Sequence, residues 1–122
     1  MTVVTSTSTT IETGVASLVE AMKEDYAAWT SRLKFGKSNE ELAEVNRERS
    51  EKFNNGLEVK FGRKYVKVVS NGSVCAFVVN TESDKKFNFG DVLKPASWSA
   101  PARNFPRGNV LEGGYNIAWT GA

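Results

Sequence analysis

Basic and aromatic side chains share one proline-rich segment, residues 94–109, with the sequence KPASWSAPARNFPRGN. Two arginines, Arg103 and Arg107, and two aromatic residues, Trp98 and Phe105, lie within it. A guanidinium group binds phosphate through two parallel hydrogen bonds, and a flat ring is a stacking surface for an unpaired base of any identity. These residue types therefore predict a contact with single-stranded nucleic acid.

Further basic residues belong to the strands and turns expected just before this segment. Together with the loop they predict one basic, aromatic face on the C-terminal half of the chain. An alternative stays open, in which Trp98 and Phe105 anchor the loop on the core and the arginines bind carbonyl groups that the prolines leave unpaired. The predicted nucleic-acid-binding residues are Lys60, Arg63, Lys64, Lys67, Trp98, Arg103, Phe105 and Arg107.

The charge of the chain is unevenly distributed, although its formal net value is only +2. Residues 1–56 contain seven basic and nine acidic residues, whereas residues 57–122 contain nine basic and five acidic residues. A basic half is typical of proteins that bind an anionic partner, and it also occurs where solvated lysines cover strand edges. The excess of positive charge lies in the same half as the proline-rich segment.

Side chains suited to catalysis or metal binding are scarce. The chain has no histidine and one cysteine, Cys75, so zinc, haem and iron–sulfur sites lack their usual ligands and the commonest general base is missing. Asp84 with Glu82 or Asp91 could form a carboxylate pair, but they lie in a lysine-rich turn where solvated carboxylates are expected. We therefore predict a non-enzymatic protein with no catalytic residue, no metal and no cofactor.

The clearest structural pattern covers residues 65–80, YVKVVSNGSVCAFVVN. Two β-branched runs flank Asn71-Gly72, a pair that suits the two positive φ angles of a type I′ hairpin turn. Because residues 74–79 are apolar at odd and even positions alike, we expect this hairpin in the middle of a sheet, covered on both faces. Shorter alternating runs predict further strands over residues 57–61, 87–89 and 115–119.

Apolar residues at steps of three and four predict a first helix over residues 11–34. Thr9 and Glu12 have the spacing of a capping box at its start. Gly14 weakens the first turn by about 1 kcal/mol relative to alanine, so a later start is also consistent with the pattern.

A charged second helix is expected from a capping box at Ser38 to Asn54. The complete pattern predicts an α+β fold, with two N-terminal helices (residues 11–55) packed against a mainly antiparallel sheet of about five short strands (residues 57–122). Residues 1–10 form a flexible Ser/Thr-rich tail in this prediction, which is either frayed or adds an edge strand.

The apolar stripe of the first helix supports a second class of function. It covers the sheet by default, but it would stay exposed if the sheet curled around a core of its own. The alternative prediction is a protein-interaction module, either a homodimer or an inhibitor of a host protein. Such a module would use helix 11–34 or a sheet edge.

No run of about 18 apolar residues is present, so no membrane span is expected. The first ten residues, MTVVTSTSTT, lack the basic start and apolar centre of a signal peptide. A single cysteine inside an apolar strand fits a reducing cytoplasm.

Four stretches of the C-terminal half carry a resemblance: KYVKVV, GSVCAFVVNTESDKKFNFGDVLKPASW, APARNFPRGNVLEGGY and WTG. Residues 64–121 resemble a group of small proteins encoded by tailed phages of cyanobacteria and marine bacteria. The resemblance implies a viral origin and a place in the host cytoplasm, and it implies no catalytic residue. Because small phage accessory proteins commonly bind nucleic acid or host proteins, it favours binding over catalysis.

Overall fold

The structure, a computed structural model, describes residues 2–4, 7, 10–31 and 39–122. Its helices and strands are, in chain order, β1 (Thr2–Val4), α1 (Ile11–Ser31), α2 (Asn39–Asn55), β2 (Leu57–Phe61), β3 (Tyr65–Ser70), β4 (Ser73–Val79), β5 (Asp91–Leu93), β6 (Gly108–Asn109) and β7 (Tyr115–Ile117). A five-stranded antiparallel sheet, in the order β2-β3-β4-β5-β6, lies beside a two-stranded sheet of β1 and β7. The predicted α+β class is confirmed, although both helices follow a strand. Neither helix is long and apolar enough to cross a membrane within the described residues.

Strands β3 and β4 form the predicted central hairpin. Its turn has φ angles of 48° at Asn71 and 82° at Gly72, as a type I′ turn requires. Val68 pairs with Ala76 and the next residue of β3 pairs with Val74, so Cys75 is the extra residue of a β-bulge. The Cys75 thiol is buried and donates a hydrogen bond to the Ser73 carbonyl, at 3.6 Å.

The five-stranded sheet has a buried apolar cluster on each side. This confirms the prediction made from the apolar residues at both odd and even positions of β4. One side packs against α1, whose Leu18 and Met22 are fully buried there. We call the other side the outer face. Strand register places a row of four directly opposed residues across it: Lys60, Lys67, Phe77 and Leu93.

Helix α1 begins at Ile11, one turn before the glycine that was expected to weaken it. The Thr13 N–H donates to the Thr10 hydroxyl at 3.3 Å, so Thr10 is the observed cap, and the predicted cap at Thr9 lies outside the described residues. A Cβ atom at Gly14 would lie 2.7 Å from the Val110 carbonyl oxygen. Glycine at this position therefore permits close approach of the helix to the segment after β6. The helix is described as far as Ser31.

Helix α2 lies at the periphery and presents a mainly charged, exposed surface. Its predicted capping box at Ser38 lies outside the described residues. The helix contributes Phe53 to the core, where the ring stacks on Tyr26 of α1 with centroids 4.3 Å apart. Trp29 and Trp119 complete this ring cluster, with their centroids 5.0 Å apart. The aromatic contacts join both helices to the C-terminal segment.

The strand predicted over residues 115–119 ends at Ile117 and pairs with β1 rather than with the main sheet. The edge-strand alternative for the Ser/Thr-rich segment therefore describes residues 2–4. Buried Asp25 of α1 secures this pair, because its carboxylate accepts the Trp119 N–H at 2.8 Å and the Thr2 hydroxyl at 3.1 Å. Burial opposes ionisation of Asp25, but the hydrogen bonds that its carboxylate accepts bring its pKa below the ordinary value.

The strand predicted over residues 87–89 is wrong. Phe87 lies in a bend and Phe89 in a turn before β5. Phe87 nevertheless buries its ring in the apolar cluster of the outer face, as an inward-facing strand residue would. The apolar alternation correctly indicated that the Phe87 side chain is buried, although the backbone around it does not form a strand.

Candidate nucleic-acid interface

The proline-rich segment between β5 and β6 is an irregular loop, as predicted, and it folds back on itself. Pro95 and Pro101 form an isolated antiparallel bridge, and the Ala102 N–H donates to the Lys94 carbonyl at 2.7 Å. These contacts close a tight excursion over residues 95–101. Trp98 lies at the middle of that excursion and is 47% exposed.

The Trp98 ring lies close to two lysines of the outer face. The Lys67 ammonium is 4.6 Å from the centroid of the indole, and the Lys60 ammonium is 5.4 Å from it. Both distances are within the range of a cation–π contact. Lys60 on β2 is directly opposite Lys67 on β3, so adjacent strands present the two charges side by side. Neither ammonium forms an ion pair with a carboxylate of the described residues.

A shallow depression of about 420 Å³ adjoins the same indole. The β3–β4 turn forms one wall of the depression and the start of the loop forms the other. It is large enough for a nucleobase, and the indole supplies an aromatic surface within it. Its lining residues are Gly72, Ser73, Val74, Pro95, Ala96, Ser97 and Trp98.

Arg103 binds a carboxylate rather than the backbone carbonyls considered above. Its two terminal nitrogens donate to the two oxygens of Asp84, at 2.9 and 3.1 Å, and one of them also donates to the Tyr65 hydroxyl at 2.7 Å. The guanidinium lies 4.9 Å from the centroid of the Phe87 ring. Arg103 therefore holds the loop against the outer face, and its charge is neutralised by Asp84.

Asp84 was expected to be a solvated carboxylate, but its side chain is only 2% exposed. One of its oxygens also accepts the backbone N–H groups of Lys86 and Phe87, at 2.8 and 2.9 Å. The hydrogen bonds from Arg103 and from these backbone groups hold the pKa of Asp84 well below its ordinary range.

A pH dependence follows from this ion pair. The folded-state pKa of Asp84 lies below the unfolded-state value of about 3.9, so the unfolded chain binds more protons at acidic pH. The stabilisation is fully present above the unfolded-state value and is lost as the pH falls through the folded-state value. We expect Asp84→Asn to flatten the loss of stability below about pH 4 in urea unfolding followed by circular dichroism.

The matched control for this experiment is Glu82→Gln, which removes an exposed carboxylate two residues away. It should leave the acid profile of the unchanged chain intact. If Asp84→Asn also left that profile intact, the assigned role of the ion pair would be wrong.

Arg63 and Lys64 lie in the turn between β2 and β3 and are exposed. The turn is held by a hydrogen bond from the Gly62 N–H to the Tyr65 carbonyl, at 2.9 Å. A second depression, of about 490 Å³, lies beside it. Its lining is mainly basic: Arg63, Lys64, Thr81, Ser83, Asp84, Lys85 and Arg103.

Side-chain contacts connect the two depressions across the outer face. The Tyr65 hydroxyl accepts from Arg103 in the second depression, and its ring meets Phe77 edge-on with centroids 5.7 Å apart. The Lys67 ammonium lies 5.9 Å from the Phe77 centroid and also contacts Trp98. The outer face thus carries a continuous path from the basic turn to the indole.

Phe105 and Arg107 form a separate pair. The Arg107 guanidinium lies 4.4 Å from the centroid of the Phe105 ring. The backbone N–H of Arg107 donates to the Val92 carbonyl at 2.7 Å. Phe105 is 55% exposed, so neither aromatic residue of the loop is a buried anchor. No recorded contact among the described residues joins this pair to the Trp98 indole.

The eight predicted residues therefore fall into three groups: one around Trp98, one around the β2–β3 turn and Arg103, and one at Phe105. Tyr65 and Asp84 are the site residues that the sequence reasoning missed. The signal for Asp84 was its place two and three residues before Lys86 and Phe87, the spacing at which an Asp side chain accepts backbone N–H groups in a turn. Among the described residues, no acidic or cysteine cluster could hold a metal ion.

Comparison with known proteins identifies the family of the chain. Neither a curated protein nor a solved structure matches the chain. One family model matches residues 2–116, a range that contains both helices and the whole of the outer face. The chain therefore belongs to this family, which is described as a family of unknown function, DUF7717.

Proposed function

We propose that the chain binds single-stranded nucleic acid through the outer face of its five-stranded sheet. The supporting observation is the half-exposed Trp98 indole with the ammonium groups of Lys60 and Lys67 at 5.4 and 4.6 Å. A base would stack against the indole in the adjoining depression, and the two lysines would contact the phosphates that flank it.

A single strand suits this surface better than a duplex, because a ring can stack only on a base that is free of its own stack. The basic depression at the β2–β3 turn lies along the same face and would extend the path of the strand past Arg63 and Lys64. Arg103, already paired with Asp84, is a positioning residue in this proposal, since it holds the loop that carries the indole.

The resemblance of residues 64–121 to small phage proteins leads us to propose the host cytoplasm of an infected cell as the setting. In this proposal the chain is a non-enzymatic accessory protein that binds a strand without reacting with it. The supporting feature is the basic C-terminal half, which carries every residue of the proposed surface.

Fluorescence anisotropy of labelled single-stranded and duplex oligonucleotides tests this function, at salt concentrations from about 50 to about 200 mM. The double variant Lys60→Gln/Lys67→Gln should bind the single strand about tenfold more weakly at the lower salt concentration. The slope of log affinity against log salt should fall by about 1.4, because each phosphate contact on a single strand contributes about 0.7. Trp98→Ala should weaken binding about tenfold without changing this slope, since a stacked base contributes about 1–3 kcal/mol.

Two controls distinguish the surface from general charge. Lys23→Gln/Arg47→Gln removes the same charge from the two helices, where each residue pairs with a glutamate on its own helix, and should leave affinity within about twofold. Trp98→Phe keeps a stacking ring and should retain most of the affinity. Equal losses in the two double variants, or no binding at the lowest salt concentration, would refute the proposed function.

A further inference from the structure

Strand β2 is an edge strand of the five-stranded sheet, and no other described residue pairs with its outer side. Among the described strands it pairs only with β3, and residues 58–61 are all exposed. Val59 and Phe61 are 36% and 53% exposed on the side of the sheet opposite to the outer face. Edge strands with exposed apolar side chains are templates for pairing with another strand.

The register of the β2–β3 ladder shows which backbone groups of β2 do not bond to β3. The Asn71 N–H donates to the Gly56 carbonyl and the Gly62 N–H donates to the Tyr65 carbonyl, both at 2.9 Å. Hydrogen-bonded and non-hydrogen-bonded pairs alternate along an antiparallel ladder, so residues 58 and 60 bond to β3. Residues 57, 59 and 61 therefore direct their N–H and C=O groups away from the sheet.

The sequence of this edge, LEVKF, is complementary to itself when two copies run antiparallel with Val59 opposite Val59. Leu57 then lies opposite Phe61 of the second copy, so all the outward backbone groups face one another. Glu58 lies opposite Lys60 of the second copy, and the symmetry repeats this ion pair. We propose that the chain forms a two-fold symmetric homodimer through this pairing of β2 with β2.

Neighbouring registers are less favourable because they leave backbone groups unpaired or place like charges opposite each other. A shift by one residue would oppose an outward residue to one already bonded to β3, and would leave backbone groups unpaired. Registers centred on Glu58 or Lys60 restore the backbone match but place two carboxylates or two ammonium groups directly opposite each other. Among these registers, the one centred on Val59 both pairs the outward backbone groups and places opposite charges across from each other.

The dimer would join two five-stranded sheets into one. Directly opposed residues share a side of an antiparallel sheet, so the outer faces of both copies would lie on the same side of the joined sheet. On the other side Val59 would contact Val59 of the second copy, and Phe61 would contact Leu57 of the second copy. This proposal does not depend on nucleic-acid binding, and its test uses the protein alone.

Sedimentation velocity across a concentration range of about 5 to about 500 µM tests the dimer. Glu58→Lys and Lys60→Glu should each raise the dissociation constant about tenfold, because each creates two like-charge pairs across the symmetry axis. An equimolar mixture of the two variants should associate within about threefold of the unchanged chain, since each variant then opposes its charges to the other. A mixture that associates no better than its components would overturn the proposal.

Val59→Pro is an independent test. The Val59 N–H faces away from β3, so proline there removes an outward donor without removing a ladder hydrogen bond, as edge strands tolerate. Dimerisation should be lost over the whole concentration range, with the circular dichroism spectrum unchanged. An unchanged chain that stays monomeric up to about 500 µM, or a dimer that survives this substitution in the folded variant, would also overturn the proposal.

Discussion

Truncation of Phe77 to alanine is expected to lower the free energy of unfolding by about 4 kcal/mol. Phe77 is fully buried at the centre of the apolar cluster on the outer face, in contact with the Tyr65 ring. The substitution removes an aromatic side chain and leaves a cavity that the neighbouring strand residues cannot close, because the ladders on both sides of β4 fix their positions. Urea unfolding at neutral pH gives the measurement.

Phe105→Ala is the matched control, because it deletes the same ring from an exposed position in the loop. Its effect on the free energy of unfolding should stay within about 0.5 kcal/mol. Equal effects of the two substitutions would show that the outer face has no packed core beneath it. A large effect at Phe77 alone would establish that the proposed binding surface rests on a rigid apolar layer.

Replacement of Asp25 by alanine is expected to destabilise the chain by about 3 kcal/mol. The carboxylate accepts the Trp119 N–H and the Thr2 hydroxyl, and its removal would leave the partly buried backbone N–H of Trp119 without its acceptor. An unsatisfied buried group costs more than the net value of the hydrogen bond that it made. Thermal and urea unfolding of Asp25→Ala should agree on the loss.

Glu24→Ala is the control for this substitution, since Glu24 is the neighbouring acidic residue of α1 and is exposed. It should change stability by less than about 0.5 kcal/mol. Similar small effects from both substitutions would contradict the role of Asp25 in joining α1 to the C-terminal segment.

Local patterns predicted most of the individual elements. The Asn71-Gly72 turn, the apolar runs beside it and the stripe of α1 each depend on residues close together in the chain, so one sequence window contains their cause. The pairing of β1 with β7 and the bond from Asp25 to Trp119 join residues far apart, and no local period reports them. Long-range contacts of this kind determine the two-stranded sheet, whereas the strands of the five-stranded sheet follow one another in chain order.

In the candidate site, too, some features could be predicted from the local sequence and others depend on contacts between distant residues. The basic character of the strands before the loop predicted that Lys60 and Lys67 would belong to one basic face, and the structure places them opposite each other beside Trp98. Arg103 looked equally suited to phosphate, but the fold brings Asp84 against it from another turn. A guanidinium is free or paired according to tertiary contacts, so composition alone overstated the basic surface of the loop.

Cys75, the extra residue of the bulge in β4, can serve as a chemical probe of strand separation. The thiol is buried, and burial raises its pKa, so an alkylating reagent reacts with it slowly while the ladders are closed. Because the chain has a single cysteine, the rate of labelling reports one place, the part of β4 next to the hairpin turn. Its dependence on denaturant would separate local opening of β4 from unfolding of the whole domain, without an engineered probe.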